Sequence, residues 1–366
     1  MIKILRCRPV LFVILSVSFS LECGFVQGED SRRLVSEELL KEAGLEIVWD
    51  TQLPLKQGEN LKKLQILDGR IYALTDRNYI VSFNRENGKI VFSRAIAEAG
   101  FPLPVLGLYD DEILTIIGNK LVEINPDSGL ELSSKHLEFG AACPPARNSS
   151  FFYVGGTDRR LHTLRAENKV QVFEVAAESD SLITTITADE SFVVFGTEAG
   201  DVISFRADEP KKLWSFTADD TIISPMVRDG WSLFFASEDT SVYRINLFSG
   251  KLLWKYPAGA VLDKAPRVTA EVVYQYVRNK GLAAIERESG RGLWLVEKGA
   301  ELLAQADGKA YIITKTGTLV VMDNEKAEHL YTVNFAGVSR YAANVADSKM
   351  YIADETGRIA CLKPSK

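Results

Sequence analysis

The chain has 366 residues, of which 46% are hydrophobic and 25% charged, with a mean hydropathy of −0.01. These values exclude a disordered, collagenous or coiled-coil chain, and a net charge of −6 excludes a nucleic-acid binder working through a general basic field. Three histidines and four scattered cysteines leave little from which to build a zinc site or histidine-dependent catalysis.

The first predicted element is a targeting segment. Lys3, Arg6 and Arg8 precede an apolar stretch from Val10 to Phe19, too short for the roughly 20 residues that span a bilayer. Val26 and Gly28 place small residues at −3 and −1 of a cut after Gly28, so residues 1–28 read as a secretory signal peptide. Its removal takes away three positive charges and one negative, moving the net charge from −6 to −8. Cys23 carries a second reading, lipoprotein processing at Leu21-Glu22-Cys23-Gly24, although Glu22 and Ser20 stand where that signal wants a small and an aliphatic residue. The chain is expected in the periplasm or on the envelope. Residues 29–44 form an N-terminal extension, with a short helix predicted within Ser31–Ala43 from the spacing of Leu34, Leu39, Leu40 and Ala43.

From residue 45 onward the chain is a repeat. Segments Ile80–Phe92, Leu161–Phe173, Val202–Trp214, Val242–Trp254, Leu282–Trp294 and Leu319–Tyr331 end in a large aromatic, and Leu121–Ser133 keeps the spacing without it. The intervals between final positions are 41, 40, 41, 40, 40 and 37. Each segment opens on a strand, turns at a pair such as Asn87-Gly88, Ser128-Gly129, Ser249-Gly250 or Ser289-Gly290, and reaches its aromatic four residues past the glycine. That is the signature of a hairpin. Upstream of each lies a run rich in β-branched and aromatic residues, and before that a further apolar strand, for example Ile222–Val227. Four short antiparallel strands make one propeller blade. The eighth repeat, Tyr341–Lys366, has only three strands, and the orphan segment Leu45–Trp49 supplies the fourth. The prediction is an all-β, eight-bladed propeller over residues 45–366, its last blade closed by the N-terminal strand, which removes an exposed sheet edge. Cys143 and Cys361 fall in non-adjacent repeats and are expected as free, buried thiols.

The repeat resembles the pyrroloquinoline-quinone-type (PQQ-like) β-propeller family. Ala284, Glu286, Ser289-Gly290 and Trp294 match its Ala-x-Asp-x-x-Thr-Gly-x-x-x-Trp pattern, as do Asn246, Ser249-Gly250 and Trp254. Arg165 and Arg206 depart from it at the Asp position and Ser133 at the Trp position. The motif specifies the fold, which hosts several functions. The eight-bladed exported form is similar to the propeller lipoprotein of the outer-membrane β-barrel assembly machinery.

The repeat position assigns Trp49, Phe92, Phe173, Trp214, Trp254, Trp294 and Tyr331 to blade packing, since a large aromatic between twisted sheets buries much apolar area. Trp231 stands outside the pattern. The quinone-dependent enzymes of this family carry an adjacent cysteine pair, a calcium ligand set and a channel tryptophan; the sequence offers no Cys-Cys pair and no recognisable calcium loop. His136, His162 and His329 read as packed or solvated groups, and Asp110-Asp111-Glu112 and Asp219-Asp220 as solvated turns. No catalytic, cofactor-binding or metal-ligating residue is assigned, and no cofactor is expected. The expected function is a non-catalytic, monomeric scaffold for protein partners of the envelope, with a role in outer-membrane protein assembly and none in nucleic-acid binding. The alternative is a small-ligand or quinone-binding propeller with oxidoreductase activity. The connections that enter the first strand of each blade carry the candidate partner-binding rim: Asp219, Asp220, Asp263, Lys264 and Arg340.

Overall fold

The computed structural model describes residues 33–365. The predicted signal peptide 1–28, the Cys23 processing site and the first residues of the extension 29–44 lie outside the described residues.

Beyond the described start, Ser36 caps a six-residue helix, Glu37–Glu42, its hydroxyl accepting from Leu39 N–H at 3.3 Å. Among the described residues thirty-two strands follow, in eight antiparallel sheets of four. Blade 1 comprises Leu61–Leu67, Arg70–Thr75, Tyr79–Asn84 and Ile90–Ala95, paired in that order. Blades 2 to 7 repeat the pattern over 107–136, 146–176, 183–217, 227–257, 267–297 and 299–334. Blade 8 takes Arg340–Ala342, Met350–Ala353 and Arg358–Pro364 from the C-terminus and its outer strand, Leu45–Gln52, from the N-terminus. The eight-bladed all-β propeller with N-terminal closure is therefore the observed architecture.

The core is a set of layers between neighbouring blades. One layer joins Val194, Val202 and Trp214 of blade 4 to Leu233, Phe235 and Ile245 of blade 5. Another joins Trp49, Tyr351 and Cys361 of blade 8 to Ile71, Val81 and Phe83 of blade 1. The second and third strands are buried on both faces, which explains why Phe192–Phe195 reads as a continuous apolar run without alternation. Outer strands alternate, as in Lys212–Thr217, with Trp214 inward.

Each outer strand carries a bulge beside its aromatic position, in all eight blades. The bulge turns the aromatic toward the next blade. The residue opposite it on the third strand is mostly small: Ser82 faces Phe92, Ser204 faces Trp214, Ala284 faces Trp294 and Cys361 faces Trp49.

One prediction of detail is corrected. The strand expected at Ile222–Val227 is Val227–Asp229. Pro225 has no N–H to give a ladder, so the chain cannot pair until it has passed that residue. His136, read as a packed or solvated group, is the exposed last residue of Glu131–His136. The short interval of 37 also has a structural cause. The connection from blade 6 to blade 7 is the single residue Lys298, between strands ending at Glu297 and starting at Gly299. Cys143 and Cys361 are free and buried, and burial pushes both thiols up to about 12.

Candidate functional site

The connections that enter each blade share one end of the propeller with the turns between second and third strands. Backbone hydrogen bonds hold them there from both sides. In the connection from blade 4 to blade 5, Ala218 N–H donates to Gly200 of blade 4 at 2.9 Å, and Thr221 O accepts from Glu238 N–H of blade 5 at 2.9 Å. Around the ring the same pairs recur as Ala258 to Thr240, Arg278 to Val261, Phe335 to Gly317 and Glu198 to Leu182. Gly200 makes this latch possible: its φ is +83°, and a Cβ there would meet Ala218 O at 2.5 Å and Asp220 O at 2.7 Å. The rim is made of loops that cannot move far from the sheets they join.

The structure divides the five predicted rim residues. Asp219 and Asp220 are exposed on one connection. Asp219 takes the Lys255 ammonium at 3.0 Å, and the same ammonium reaches Asp239 at 3.2 Å. Hydrogen bonds to Tyr243, Asp219 and Asp239 raise the Lys255 ammonium above its ordinary value. Burial pushes the Asp239 carboxyl up, but donors from Tyr243 and Lys255 outweigh it and hold the group below the carboxylate range. Asp220 is used locally: its carboxylate caps Thr221 N–H at 2.8 Å and its carbonyl accepts from the Ser237 hydroxyl at 2.8 Å.

Asp263, Lys264 and Arg340 are half-buried and hold the fold. Asp263 takes Arg278 at 2.8 Å. Lys264 lies 4.3 Å above the Tyr276 ring, and its carbonyl accepts from Gln275 at 2.9 Å. Arg340 of blade 8 donates to Leu61 O of blade 1 at 3.0 Å and so helps close the ring. Asp219 to Lys264 lie on two successive connections, into blades 5 and 6, whereas Arg340 enters blade 8. The five therefore do not form one cluster.

The apolar part of this rim was missed from the sequence. The connection 96–106 exposes Phe101 (44%), Leu103 (36%) and Val105 (43%), and Ile223 beside Asp220 is 49% exposed. A groove of about 260 Å³ runs between the connections into blades 2 and 3, lined by Leu103, Val105, Ile116, Cys143 and Pro144. The signal was present as Phe101-Pro102-Leu103-Pro104-Val105, where alternating prolines forbid a ladder yet the other residues are apolar.

The seven predicted packing aromatics sit on the outer strands, one per blade. Trp214 lies on Gly250 of the next blade and donates its indole N–H to Leu247 O at 3.0 Å. Trp254 lies on Gly290 and donates to Arg287 O at 2.8 Å; Trp49 lies on Gly88 and donates to Arg85 O at 3.0 Å. Phe92 lies on Gly129, with no polar bond to make. Phe173 packs half-buried against the layer holding Phe205 and Ala207. Trp294 is half-buried and Tyr331 donates to Ala43 O at 2.9 Å. Trp231 is 70% exposed at the opposite end.

His162 is buried, stacked on Phe139 with centroids 3.6 Å apart, and bonded to Asp158 at 2.9 Å. Tyr153, Asn148 and Ala207 O form a similar buried chain between blades 3 and 4. Among the described residues no group of three or more His, Cys, Asp or Glu converges on a point that could hold a metal ion. No helix in them is long and apolar enough to cross a membrane.

Comparison with known proteins agrees with this architecture. A family model described as outer membrane protein assembly factor BamB matches residues 118–228 and 220–324. The curated protein of that name from Shewanella oneidensis is 25% identical over 179 residues, 44% of each chain. The one from Nitrosomonas eutropha is 24% identical over 146 residues, 40% of this chain and 34% of that one. The chain thus spans less than half the length of the curated relatives it matches. Among solved structures, BamB from Moraxella catarrhalis superposes with a TM-score of 0.66 at 14% identity, covering 87% of this chain and 97% of that one. The designed protein Ika8 superposes with the same TM-score at 13% identity, over 85% and 98%. At these identities the superpositions speak for the fold, while the two model matches together span more than half of the residues; the chain belongs to the PQQ-like propeller family whose model is described as outer membrane protein assembly factor BamB.

Proposed function

We propose that this chain is an exported, non-catalytic propeller that binds protein partners of the cell envelope in the assembly of outer-membrane proteins, with the connection rim as its binding face. One observation carries the choice of face: a run of apolar side chains, Phe101, Leu103 and Val105, is exposed along one latched connection, whereas the opposite end exposes Trp231 and Phe248 singly in separate turns. Phe101, Leu103, Val105 and Ile223 gain nothing for the fold by their exposure. Loops already pinned by backbone hydrogen bonds lose little further freedom on binding, so contact area there converts to affinity efficiently. Asp219 and Asp220 add exposed acidic groups beside Ile223 that can select a partner's charge. The family match supports the process, and the reading of residues 1–28 supports export.

The test is crosslinking and capture from native envelopes with the variants Phe101→Asp, Ile223→Asp and Asp220→Lys, scored on components of the outer-membrane assembly machinery. Melting temperatures should stay close to wild type, because exposed sites change stability by within about 0.5 kcal/mol. Recovery of those components should fall at least fivefold. Wild-type recovery with all three variants would remove the rim as the binding face. Asp263, Lys264 and Arg340 are left out of the set because changing them would also disturb the fold.

A further inference from the structure

A second site lies at the other end of the propeller, where the turns between first and second strands meet the third-to-fourth hairpins. A cavity of about 370 Å³ opens there between blades 6 and 7. Its polar lining is Glu271, Glu286, Glu288, Arg291, Asn324 and Glu325. Asn324 is only 7% exposed. Its Nδ2 donates to the Tyr274 hydroxyl at 2.7 Å, and that hydroxyl donates onward to Gln305 at 3.3 Å. Burial raises the Tyr274 hydroxyl above its ordinary range, so it keeps its proton and its donor role. This chain fixes which way the Asn324 amide points. Its Oδ1 is left buried with no hydrogen bond among the described residues. A buried acceptor without a donor is costly, and a ligand that supplies the donor recovers that cost.

The charges around the cavity are unbalanced. Glu286 is held by Arg291 at 3.0 Å and Glu288 by Arg244 at 2.9 Å. Glu271 and Glu325 are exposed, and among the described residues their carboxylates have no hydrogen bond or ion pair. What remains is an acceptor-only set: one buried amide oxygen and two free carboxylates. The carboxylates do not converge as metal ligands would. The volume falls in the range of small-ligand sites.

We infer that this cavity binds an organic cation carrying N–H donors, an alkylammonium or guanidinium group, with Asn324 Oδ1 taking a hydrogen bond and Glu271 and Glu325 balancing the charge. The group can belong to a free amine or to a lysine or arginine side chain, and the chemistry of recognition is the same.

Titration calorimetry on the full chain tests this with n-butylammonium, butylguanidinium, uncharged butanol and the tripeptide Gly-Lys-Gly as probes. The expected result is saturable one-to-one binding of the cations and none of butanol. The double variant Glu271→Gln, Glu325→Gln should weaken cation binding at least tenfold with an unchanged melting temperature, because neither carboxylate supports the fold. Asn324→Leu, close in volume, should also lose binding. Asp219→Asn at the opposite end should change nothing, which separates a site from the diffuse field of an acidic protein. Gly-Lys-Gly binding at least as tightly as butylammonium assigns the site to a side chain; weaker binding of the tripeptide assigns it to a free amine. No saturable binding by any cation, equal binding of butanol, or undiminished binding in the double variant would overturn the inference.

Discussion

Two blade interfaces solve the same packing problem with opposite chemistry. Between blades 4 and 5, Trp214 lies across Gly250, whose φ of +68° and missing Cβ let the ring approach. Its indole N–H is satisfied by Leu247 O. Between blades 2 and 3 the aromatic position is held by Ser133, and the glycine position by Lys169 at φ +54°. Opposite Ser133, where most other blades place a small residue, stands Glu123. Glu123 accepts from the Ser133 hydroxyl and from Arg147, and takes the Lys169 ammonium at 2.8 Å. Arg147 also reaches Glu112 at 2.8 Å, and both cations lie over the Phe152 ring, at 4.7 and 5.3 Å. The two interfaces teach that the repeat conserves a volume between sheets, while an apolar ring and a buried ion cluster are interchangeable ways of filling it. They differ in what each tolerates. The ring depends on shape and one hydrogen bond to a backbone carbonyl, whereas the cluster depends on every member being present and charged.

The largest expected effect comes from the aromatic interface. Trp214→Ala should cost about 3–5 kcal/mol, the range for emptying a large buried aromatic site. The loss should be the same at pH 7 and pH 4, since no titratable group touches the change. Denaturant unfolding at both values checks this. A loss below about 1 kcal/mol would show that the neighbouring blades close over the gap, and that the ring is not what fills the interface.

The ion cluster should show a smaller loss with a pH dependence. Burial pushes the Glu123 carboxyl up, but Lys169, Ser133 and Arg147 outweigh it and hold the group below its ordinary value. A carboxyl depressed in the folded state adds stability that is present in full above its unfolded value, about 4.3. That stability drains away as the pH falls through the folded value. Glu123→Gln should therefore cost about 2–3 kcal/mol at pH 7, the scale of hydrogen bonds to charged groups together with partly orphaned cations. The difference from wild type should shrink as the pH is lowered below about 4.3. A difference that stays constant across that window would mean that Glu123 acts by shape, as the tryptophan does.

This contrast also explains what could be read from the sequence. The blade count, the closing strand and the packing positions were legible because they rest on a 40-residue period, which survives the loss of single residues. The ion cluster was not, because Glu112, Glu123, Ser133, Arg147 and Lys169 are spread over nearly sixty positions and meet only when two blades dock. Lys169 and Ala327 occupy glycine positions with positive φ, which only the backbone reveals. On the rim, Asp263 and Arg340 look in sequence like free loop charges, yet both are bound to neighbouring backbone or side chains. Polarity in a loop marks exposure poorly when the loop is latched. The apolar Phe101 and Ile223 mark it better, because about half of each side chain stands in water although burial would favour it.

The smallest expected effect sharpens the comparison from a third interface. Trp294 of blade 6 faces a hairpin of blade 7 in which Ala327, at φ +56°, replaces glycine. With that methyl group in place, the indole N–H of Trp294 is buried and finds no acceptor. This interface has kept the ring and lost its hydrogen bond, so it separates the two contributions that Trp214 combines. Trp214→Phe should remove some apolar contact and leave Leu247 O without its donor, a cost of about 1–2 kcal/mol. Trp294→Phe removes comparable contact but also relieves an unsatisfied donor, and the two should nearly cancel, leaving a change within about 0.5 kcal/mol of wild type. Ala327→Gly in the wild-type background should raise stability by roughly 0.5–1 kcal/mol, by releasing an L-residue from the left-handed region. In that background Trp294→Phe should become costly, because the ring can then settle onto the hairpin and donate as Trp214 does. Equal costs for Trp294→Phe with and without Ala327→Gly would show that the glycine controls the backbone alone, and that the indole bond at the other interfaces follows from something other than close approach.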